Sequence, residues 1–265
     1  MWIRTTCHLE FEMGDSTPLI LILRPRSGIN QWVSRESYTL SKNVQVNEYT
    51  DIAGNLCQRM IVPAGYFSVT TSADVMTSDT IDKDPMACFV EIQNLPDSAL
   101  LYLLPSRYCE SDRFGNLARE IVDGEPLGYS QVDKICQWIR NFIRYNPGSS
   151  VFPLSAVEVN MQGEGVCRDL AHLGIALCRS ISIPARLVVG FLYGLEPMDL
   201  HAWFEAYVAG RWYTFDATQA IPKGGYVAIG YGRDAADVAV YNQFGPPVYP
   251  AAQCIQVQLI DKQEA

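Results

Sequence analysis

Apolar residues alternate with polar ones in short runs along the first third of the chain. In residues 44–47 and 67–70, for example, every second side chain is apolar. A period of two is typical of β-strands that bury one face and expose the other. Glycine and proline separate these runs at the spacing of an all-β sandwich. The predicted strands of this antiparallel sandwich are residues 3–12, 18–24, 32–40, 44–49, 56–62 and 66–75.

The hydrophobic period changes to that of a helix after a polar run at residues 77–85. Residues 129–145 carry one apolar stripe, formed by Val132, Ile135, Cys136, Ile139 and Ile143. This spacing predicts an amphipathic helix, with Ser130 as its N-terminal cap. Two further helices are predicted at residues 96–104 and 112–122.

The change of period sets the predicted domain organisation. We place the boundary near residue 95, so that residues 1–95 form the β-sandwich and residues 96–265 form a second domain. In the second domain, apolar spacing predicts a helix that begins at Cys167, and Pro184 ends it. The predicted strands after that helix are residues 185–193, 199–208, 211–216 and 254–260. Helices followed by an antiparallel sheet indicate the α+β class.

Composition and charge exclude several classes of function. The 265 residues carry a formal net charge of -9, and their Lys and Arg residues are scattered rather than clustered. We therefore expect no nucleic-acid partner, because such proteins present a concentrated basic surface. No apolar run of about 18 residues and no signal-peptide core occurs in the sequence. We expect no membrane association and a cytoplasmic location.

The eight cysteines are widely dispersed, and no two of them have Cys-x-x-Cys spacing. This pattern indicates neither a disulfide framework nor a zinc site. The three histidines are not spaced with cysteines as zinc ligands are. We therefore expect no metal and no cofactor, and we interpret seven of the eight cysteines as structural thiols.

Cys167 is the exception, because it follows a Gly163-Glu164-Gly165 turn and opens a predicted helix. The unpaired N–H groups and the positive end of the helix dipole favour a thiolate at that position. A thiolate is the reactive form of cysteine. Without other residues to support it, a cysteine here would more simply be a small buried hydrophobe.

A predicted hairpin supplies the other groups that nucleophilic thiol catalysis needs. Its strands carry His201 and Asp216, and Ala209-Gly210 forms the turn between them. With two central turn residues, Asp216 lies opposite Trp203, and His201 is its diagonal neighbour on the same face. A thiolate, an imidazole within reach and a third group that orients the imidazole form a catalytic triad.

Several motifs together resemble the bacterial transglutaminase-like superfamily, whose members are often described as cysteine proteases. The motifs of the second domain are residues 102–108 (YLLPSRY), 167–172 (CRDLAH), 183–191 (IPARLVVGF), 201–203 (HAW), 215–218 (FDAT) and 232–238 (GRDAADV). Residues 23–27 (LRPRS) and 51–55 (DIAGN) resemble the β-rich N-terminal region that accompanies this domain in bacteria. One departure is Ala217, where the family pattern has proline.

The resemblance implies a papain-like arrangement of helices and antiparallel sheet after the sandwich. It also implies a catalytic triad of Cys167, His201 and Asp216 that acts on an amide bond of a peptide or protein through a thioester. The sequence leaves two acceptors open, because water gives a peptidase or amidase and an amine gives a transglutaminase. A third alternative is a binding or scaffold module that retains the fold without activity. The oligomeric state is left open.

Other polar residues near the motif receive structural interpretations. His172 is rotated by about 140° from Cys167 on an ideal helix, so we expect a structural histidine. Arg168 and Arg186 are expected to pair with carboxylates. The backbone N–H of Cys167 is the natural oxyanion donor, and Gln162 is a candidate for a second one.

Overall fold

A computed structural model describes residues 1–261 of the 265-residue chain. The N-terminal part is a sandwich of two antiparallel sheets, as predicted. Its first strands are β1 (Trp2–Met13), β2 (Thr17–Leu21), β3 (Gln31–Leu40), β4 (Val46–Thr50), β5 (Leu56–Val62) and β6 (Gly65–Thr77). In one sheet β6 lies between β1 and β3, and in the other β5 lies between β2 and β4.

The period-two pattern buries one face of each central strand. Along β1, for example, Leu9 and Phe11 are buried, whereas the residues between them are at least partly exposed. Phe11 packs on Phe67 of β6, with 6.4 Å between the ring centroids. Burying a Leu or Phe side chain contributes about 1.5–3 kcal/mol, so the buried faces of these strands stabilise the sandwich.

The second part contains five helices among the described residues and a second antiparallel sheet. The helices are α1 (Asp97–Leu100), α2 (Gly115–Ile121), α3 (Tyr129–Phe142), α4 (Ala156–Gln162) and α5 (Cys167–Ser180). The strands are β7 (Arg144–Tyr145), β8 (Glu164–Gly165), β9 (Ala185–Leu192), β10 (His201–Val208), β11 (Arg211–Phe215) and β12 (Tyr226–Gly232). The sheet has the order β11-β10-β9-β12, and α5 packs against β10 and β9. The predicted α+β class is confirmed, with a strand-rich N-terminal region followed by a part that combines helices with an antiparallel sheet.

Helix α3 is shorter than the sequence predicted. It ends at Phe142 instead of residue 145, because Arg144 and Tyr145 form β7 and pair in parallel with β8. Its N-cap is Gly128, whose N–H donates to the Gln131 side chain at 3.2 Å. The prediction of Ser130 as the cap was wrong, since its hydroxyl donates to the Pro85 carbonyl instead.

The end of the described chain returns to the sandwich. Strand β13 (Tyr241–Gln243) pairs with β2, and strand β14 (Ala252–Leu259) pairs with β1 along eight residue pairs. The sequence had assigned this stretch to the second domain, together with residues 262–265, which lie outside the described residues. The division of the chain at residue 95 stays a prediction.

Within residues 1–261, no helix combines the length and the apolar character needed to cross a membrane.

Candidate active site

Cys167 is the first residue of α5, as the sequence predicted, and its side chain is half-buried. The Asp169 carboxylate accepts the Val166 N–H at 3.2 Å, so it caps the helix from within the first turn. The same carboxylate accepts hydrogen bonds from the Leu154 N–H, at 3.1 Å, and from Ser150. The fully buried Asp169 thus ties the loop before α4 to the start of α5 and fixes the position of the thiol.

The hairpin that carries the other two candidates has the predicted register. Ala209 and Gly210 both have positive φ, which a two-residue hairpin turn requires, and Phe204 pairs with Phe215. His201 therefore opens β10, while Asp216 follows the last residue of β11. The His201 Nε2–H donates to Asp216 Oδ2 at 2.7 Å, and both side chains are buried.

Asp216 accepts three more hydrogen bonds. Oδ1 accepts from the Thr218 N–H at 2.9 Å and from the Thr218 hydroxyl at 2.7 Å. Oδ2 accepts from the Tyr226 hydroxyl at 2.9 Å, in addition to the bond from His201. Sequence reasoning missed both Thr218 and Tyr226. The spacing Asp-x-Thr could have revealed Thr218, because an Asp carboxylate commonly accepts from the backbone N–H two residues on.

The second nitrogen of His201 is left for the thiol. Nδ1 is buried and has no hydrogen-bond partner among the described residues. The Cys167 thiol is nevertheless close enough that its side-chain contact and its charge both help to raise the pKa of the ring. In a catalytic thiol–imidazole pair, one ring nitrogen of the histidine donates its proton toward the thiolate.

The Asp216 carboxylate determines whether the His201 imidazole is charged. Burial by itself disfavours the imidazolium, but the negative charge and hydrogen bond of Asp216, with a smaller effect of Cys167, raise the pKa of His201 to about 10. For Asp216, burial opposes ionisation, yet His201 and Thr218 lower the pKa of the carboxyl below its ordinary value. The site therefore holds an imidazolium between a carboxylate and a thiol at neutral pH.

The other cysteines differ from Cys167 in their surroundings. All eight are free thiols in the structure. Cys109, Cys136 and Cys178 are buried, and burial raises the pKa of each thiol, so they stay protonated and unreactive. Cys7 is also buried, and burial raises the pKa of its thiol to about 12.

His172 lies away from this chemistry, in agreement with its structural interpretation. Its Nδ1–H donates to the Leu154 carbonyl at 2.8 Å, and its Nε2 accepts the Ala235 N–H at 3.2 Å. The ring stacks on Tyr108, with 5.2 Å between the centroids. Burial lowers the pKa of His172, so the ring is neutral. Both nitrogens are occupied by backbone groups.

The predicted arginine pairs are present. Arg168 binds Asp169 at 3.0 Å, and Arg186 binds Glu205 at 2.6 Å. Gln162 is exposed at the end of α4, where its amide donates to the Glu164 carbonyl at 3.2 Å. Its role as a second oxyanion donor stays a prediction.

Two aromatic residues border the site. Tyr145 of β7 lies near enough to Cys167 that the thiol, after burial, contributes to raising the pKa of its hydroxyl to about 12. Trp203 is buried, and its ring lies 6.0 Å from that of His201. Among the described residues, no group of three or more His, Cys, Asp or Glu side chains could hold a metal ion.

Several known proteins are similar to this chain. Residues 115–217 match the model of the transglutaminase-like superfamily. The crystal structure of a putative cysteine protease from Cytophaga hutchinsonii is similar with a TM-score of 0.91 at 34% identity, over 99% of this chain and 91% of that chain. An uncharacterized protein of Mycobacterium leprae is 27% identical over 82% of both chains. An uncharacterized protein of Mycobacterium tuberculosis is 33% identical over 36% of this chain and 35% of its own length.

The matched segment contains all three residues of the predicted triad. It ends at residue 217, before Thr218 and Tyr226, and it begins after the sandwich.

Proposed function

The chain belongs to the transglutaminase-like superfamily, and from that premise we propose that it is a thiol hydrolase that cleaves an amide or isopeptide bond of a peptide or protein. In this proposal Cys167 is the nucleophile, His201 is the general acid and base, and Asp216 orients and charges the imidazole. A relative with 34% identity over nearly the whole chain is described as a putative cysteine protease, which supports hydrolysis as the reaction.

One observation carries the proposal. His201 donates through Nε2 to a buried carboxylate at 2.7 Å, and its other nitrogen is buried without a hydrogen-bond partner among the described residues. Cys167, the first residue of α5, is close enough to contribute to the raised pKa of the ring. An imidazole that served only the structure would have both nitrogens bonded, as His172 has.

The reaction follows from these positions. The Cys167 thiolate attacks the amide carbonyl carbon, and the carbonyl oxygen becomes an oxyanion. The N–H of Cys167, at the first position of α5, has no intrahelical partner, so it is available to bind that oxyanion. The tetrahedral intermediate then expels the amine, which takes its proton from the His201 imidazolium, and a thioester remains on Cys167.

Water completes the cycle. The neutral imidazole of His201 accepts a proton from water as the water attacks the thioester. The carboxylic acid leaves, and the thiolate and imidazolium are restored. If a primary amine attacked the thioester instead, the same residues would perform transglutamination, which is the second candidate function. Acceptor choice depends on how the cleft excludes water rather than on the triad.

The test uses a mixture of glutamine-containing peptides, with and without a primary amine, followed by mass spectrometry. Cleaved or deamidated peptides that require Cys167 support a hydrolase, whereas amine-linked peptides that require Cys167 support a transglutaminase. Cys167→Ser is the loss-of-function control, and Cys254→Ser, which removes an exposed thiol, is the matched variant that should act as wild type. Products that form equally with Cys167→Ser, or none at all together with an unreactive Cys167, would favour the binding module.

A further inference from the structure

Tyr226 and His201 donate hydrogen bonds to the same oxygen atom of Asp216. The Tyr226 hydroxyl donates to Asp216 Oδ2 at 2.9 Å, and His201 donates to that oxygen at 2.7 Å. Two donors on one oxygen restrict the rotation of the carboxylate more than one donor does, because both lone pairs are used. The ring of Tyr226 also packs edge-on against Trp203, with 5.0 Å between the centroids.

The Tyr226 hydroxyl is protonated at neutral pH. Burial, followed by the nearby negative charge of Asp216, raises the pKa of Tyr226 far above its ordinary value. A neutral phenol beside a carboxylate can only donate, so the direction of this hydrogen bond is fixed.

Tyr226 opens β12, the strand at one edge of the second sheet. An edge strand normally leaves a row of backbone N–H and C=O groups unpaired. In this protein three side chains of the sandwich occupy that row. They are Thr77, Gln31 and Asn55.

Each of the three binds the backbone of β12 with a short hydrogen bond. The Thr77 hydroxyl donates to the Tyr226 carbonyl at 2.8 Å. The Gln31 amide accepts the Ala228 N–H at 2.7 Å and donates to the Ala228 carbonyl at 2.8 Å.

Asn55 repeats the pattern of Gln31 further along the strand. Its amide accepts the Tyr231 N–H at 2.8 Å and donates to the Tyr231 carbonyl at 2.8 Å. A side-chain amide has the same donor and acceptor as a peptide group, so these two residues replace a neighbouring strand. Among the described residues, the sandwich thus completes the edge of the sheet that carries His201.

The backbone just before Tyr226 is held as well. The N–H groups of Gly224 and Gly225 donate to the carbonyls of Asp79 and Ser78 at 3.2 and 2.9 Å. A Cβ atom on Gly224 would lie 2.2 Å from the Asp79 carbonyl carbon, so no other residue fits there without moving the backbone.

We propose that Tyr226 is a positioning residue for the triad, and that the N-terminal sandwich is the template that holds it in place through the edge of β12. This inference rests on the proposed function, since it concerns the orientation of Asp216 toward His201. It gives the N-terminal sandwich a role in catalysis.

The decisive test compares wild type with Tyr226→Phe, which removes the hydroxyl and keeps the ring. The first readout is the NMR signal of the His201 Nε2–H, recorded in a Cys167→Ser background so that the thiol plays no part. Removing a donor to the charged carboxyl raises its pKa, so the signal should disappear at a higher pH during acid titration in Tyr226→Phe. An unshifted titration would overturn the inference.

The second readout is the rate of iodoacetamide alkylation of Cys167 at pH 6. Tyr226→Phe should slow it roughly tenfold, which is the usual effect of losing one hydrogen bond to a charged group. Tyr231→Phe is the matched control, because it removes a hydroxyl from the same strand that makes no hydrogen bond among the described residues. It should leave both readouts unchanged.

A pair of substitutions at Thr77 tests the sandwich as the template. Thr77→Val removes the hydroxyl that holds the Tyr226 carbonyl, and Thr77→Ser keeps it. Thr77→Val should shift the His201 signal in the same direction as Tyr226→Phe by a smaller amount, and Thr77→Ser should match wild type. If Thr77→Val and Thr77→Ser give the same His201 titration, the sandwich does not hold Tyr226 in place for the triad.

The two readouts separate this inference from the proposed function. If wild-type Cys167 reacts no faster than an ordinary thiol, the proposed function fails, and the His201 titration still decides the role of Tyr226. If wild-type Cys167 is reactive and the Tyr226→Phe titration equals that of wild type, only the positioning role fails.

Discussion

The protein buries two histidines in its second part and surrounds them in opposite ways. His172 has both nitrogens bound by backbone groups, those of Leu154 and Ala235, and burial lowers its pKa. His201 is as deeply buried, but the Asp216 carboxylate overcomes that burial and raises its pKa to about 10. One ring is neutral and satisfied, and the other is charged with one nitrogen unpartnered among the described residues.

The comparison teaches that burial does not distinguish a structural histidine from a catalytic one. The difference lies in a single carboxylate and in a nitrogen that no backbone group occupies. A charged imidazole with an unoccupied nitrogen can exchange a proton with a reacting group, whereas a ring held between two peptide groups cannot. Substitutions at the two histidines and at Asp216, and the dependence of stability on pH, test this difference.

The same substitution at the two histidines should have very different effects on activity. His201→Ala removes the acid and base, so amide cleavage in the peptide assay should fall by about a thousandfold, within the range of general acid–base catalysis. His172→Ala should retain cleavage within about threefold, because its ring contacts neither the thiol nor Asp216 among the described residues. If both variants are folded and lose cleavage activity to a similar extent, the distinction between a catalytic and a structural histidine is contradicted.

Removing the charge of Asp216 should make His201 resemble His172. In Asp216→Asn, burial is no longer opposed by a carboxylate, so the pKa of His201 should fall from about 10 to below its ordinary value of 6.5. Cleavage should fall by about a hundredfold, since the imidazolium is lost. Histidine NMR titration measures the pKa directly, and a value that stays near 10 would show that Asp216 does not charge the ring.

The structural histidine should matter for stability instead. His172→Ala leaves the Leu154 carbonyl and the Ala235 N–H without their partner, which costs about 1–3 kcal/mol for a buried group. The free energy of unfolding from urea denaturation should fall by that amount, while the alkylation rate of Cys167 at pH 6 stays that of wild type. If His172→Ala has the same free energy of unfolding as wild type, the two hydrogen bonds of the His172 ring do not stabilise the fold.

The two histidines should also affect stability at opposite ends of the pH range. The pKa of His201 is raised, so its contribution is complete below pH 6.5 and is lost as the pH rises through about 10. The pKa of His172 is lowered, so the unfolded chain takes up the proton first and stability is lost as the pH falls below 6.5.

Urea midpoints between pH 4 and 10 measure this effect. His201→Ala should weaken the alkaline decline relative to wild type, and His172→Ala should weaken the acid decline. A reversal of the two slopes would contradict the assigned charges.

Much of the predicted site follows from local rules. The turn at Ala209-Gly210 fixes the register of the hairpin, and the register alone brings His201 and Asp216 to one face. The helix start at Cys167 is equally local, because it needs only the turn before it and the apolar spacing after it. These features depend on neighbours within about fifteen residues, so the sequence is sufficient to predict them.

What the sequence did not reveal depends on distant contacts. No strand was predicted at β12, which contains Gly230 and Gly232, because glycine is unfavourable in strands. The stability of β12 comes from β9 on one side and from the sandwich amides of Gln31 and Asn55 on the other. The local sequence of β12 does not indicate these partners, so neither the strand nor the role of Tyr226 was predicted.

The return of the chain to the sandwich was missed for the same reason. Strand β14 pairs with β1 across more than 240 residues of sequence, as in the pair of Ile3 with Leu259. Alternation predicts that residues 254–260 form a strand, but it cannot identify the sheet that accepts it. Register with a distant strand is a tertiary property.

The most direct test of the central claim is the pH dependence of iodoacetamide alkylation at Cys167, mapped by peptide mass spectrometry in wild type and in His201→Ala. We expect fast alkylation of Cys167 that persists well below pH 7 in wild type and that is lost in His201→Ala. A profile that rises only near pH 8.5, the range of an ordinary thiol, and that does not change when the imidazole is removed would contradict it.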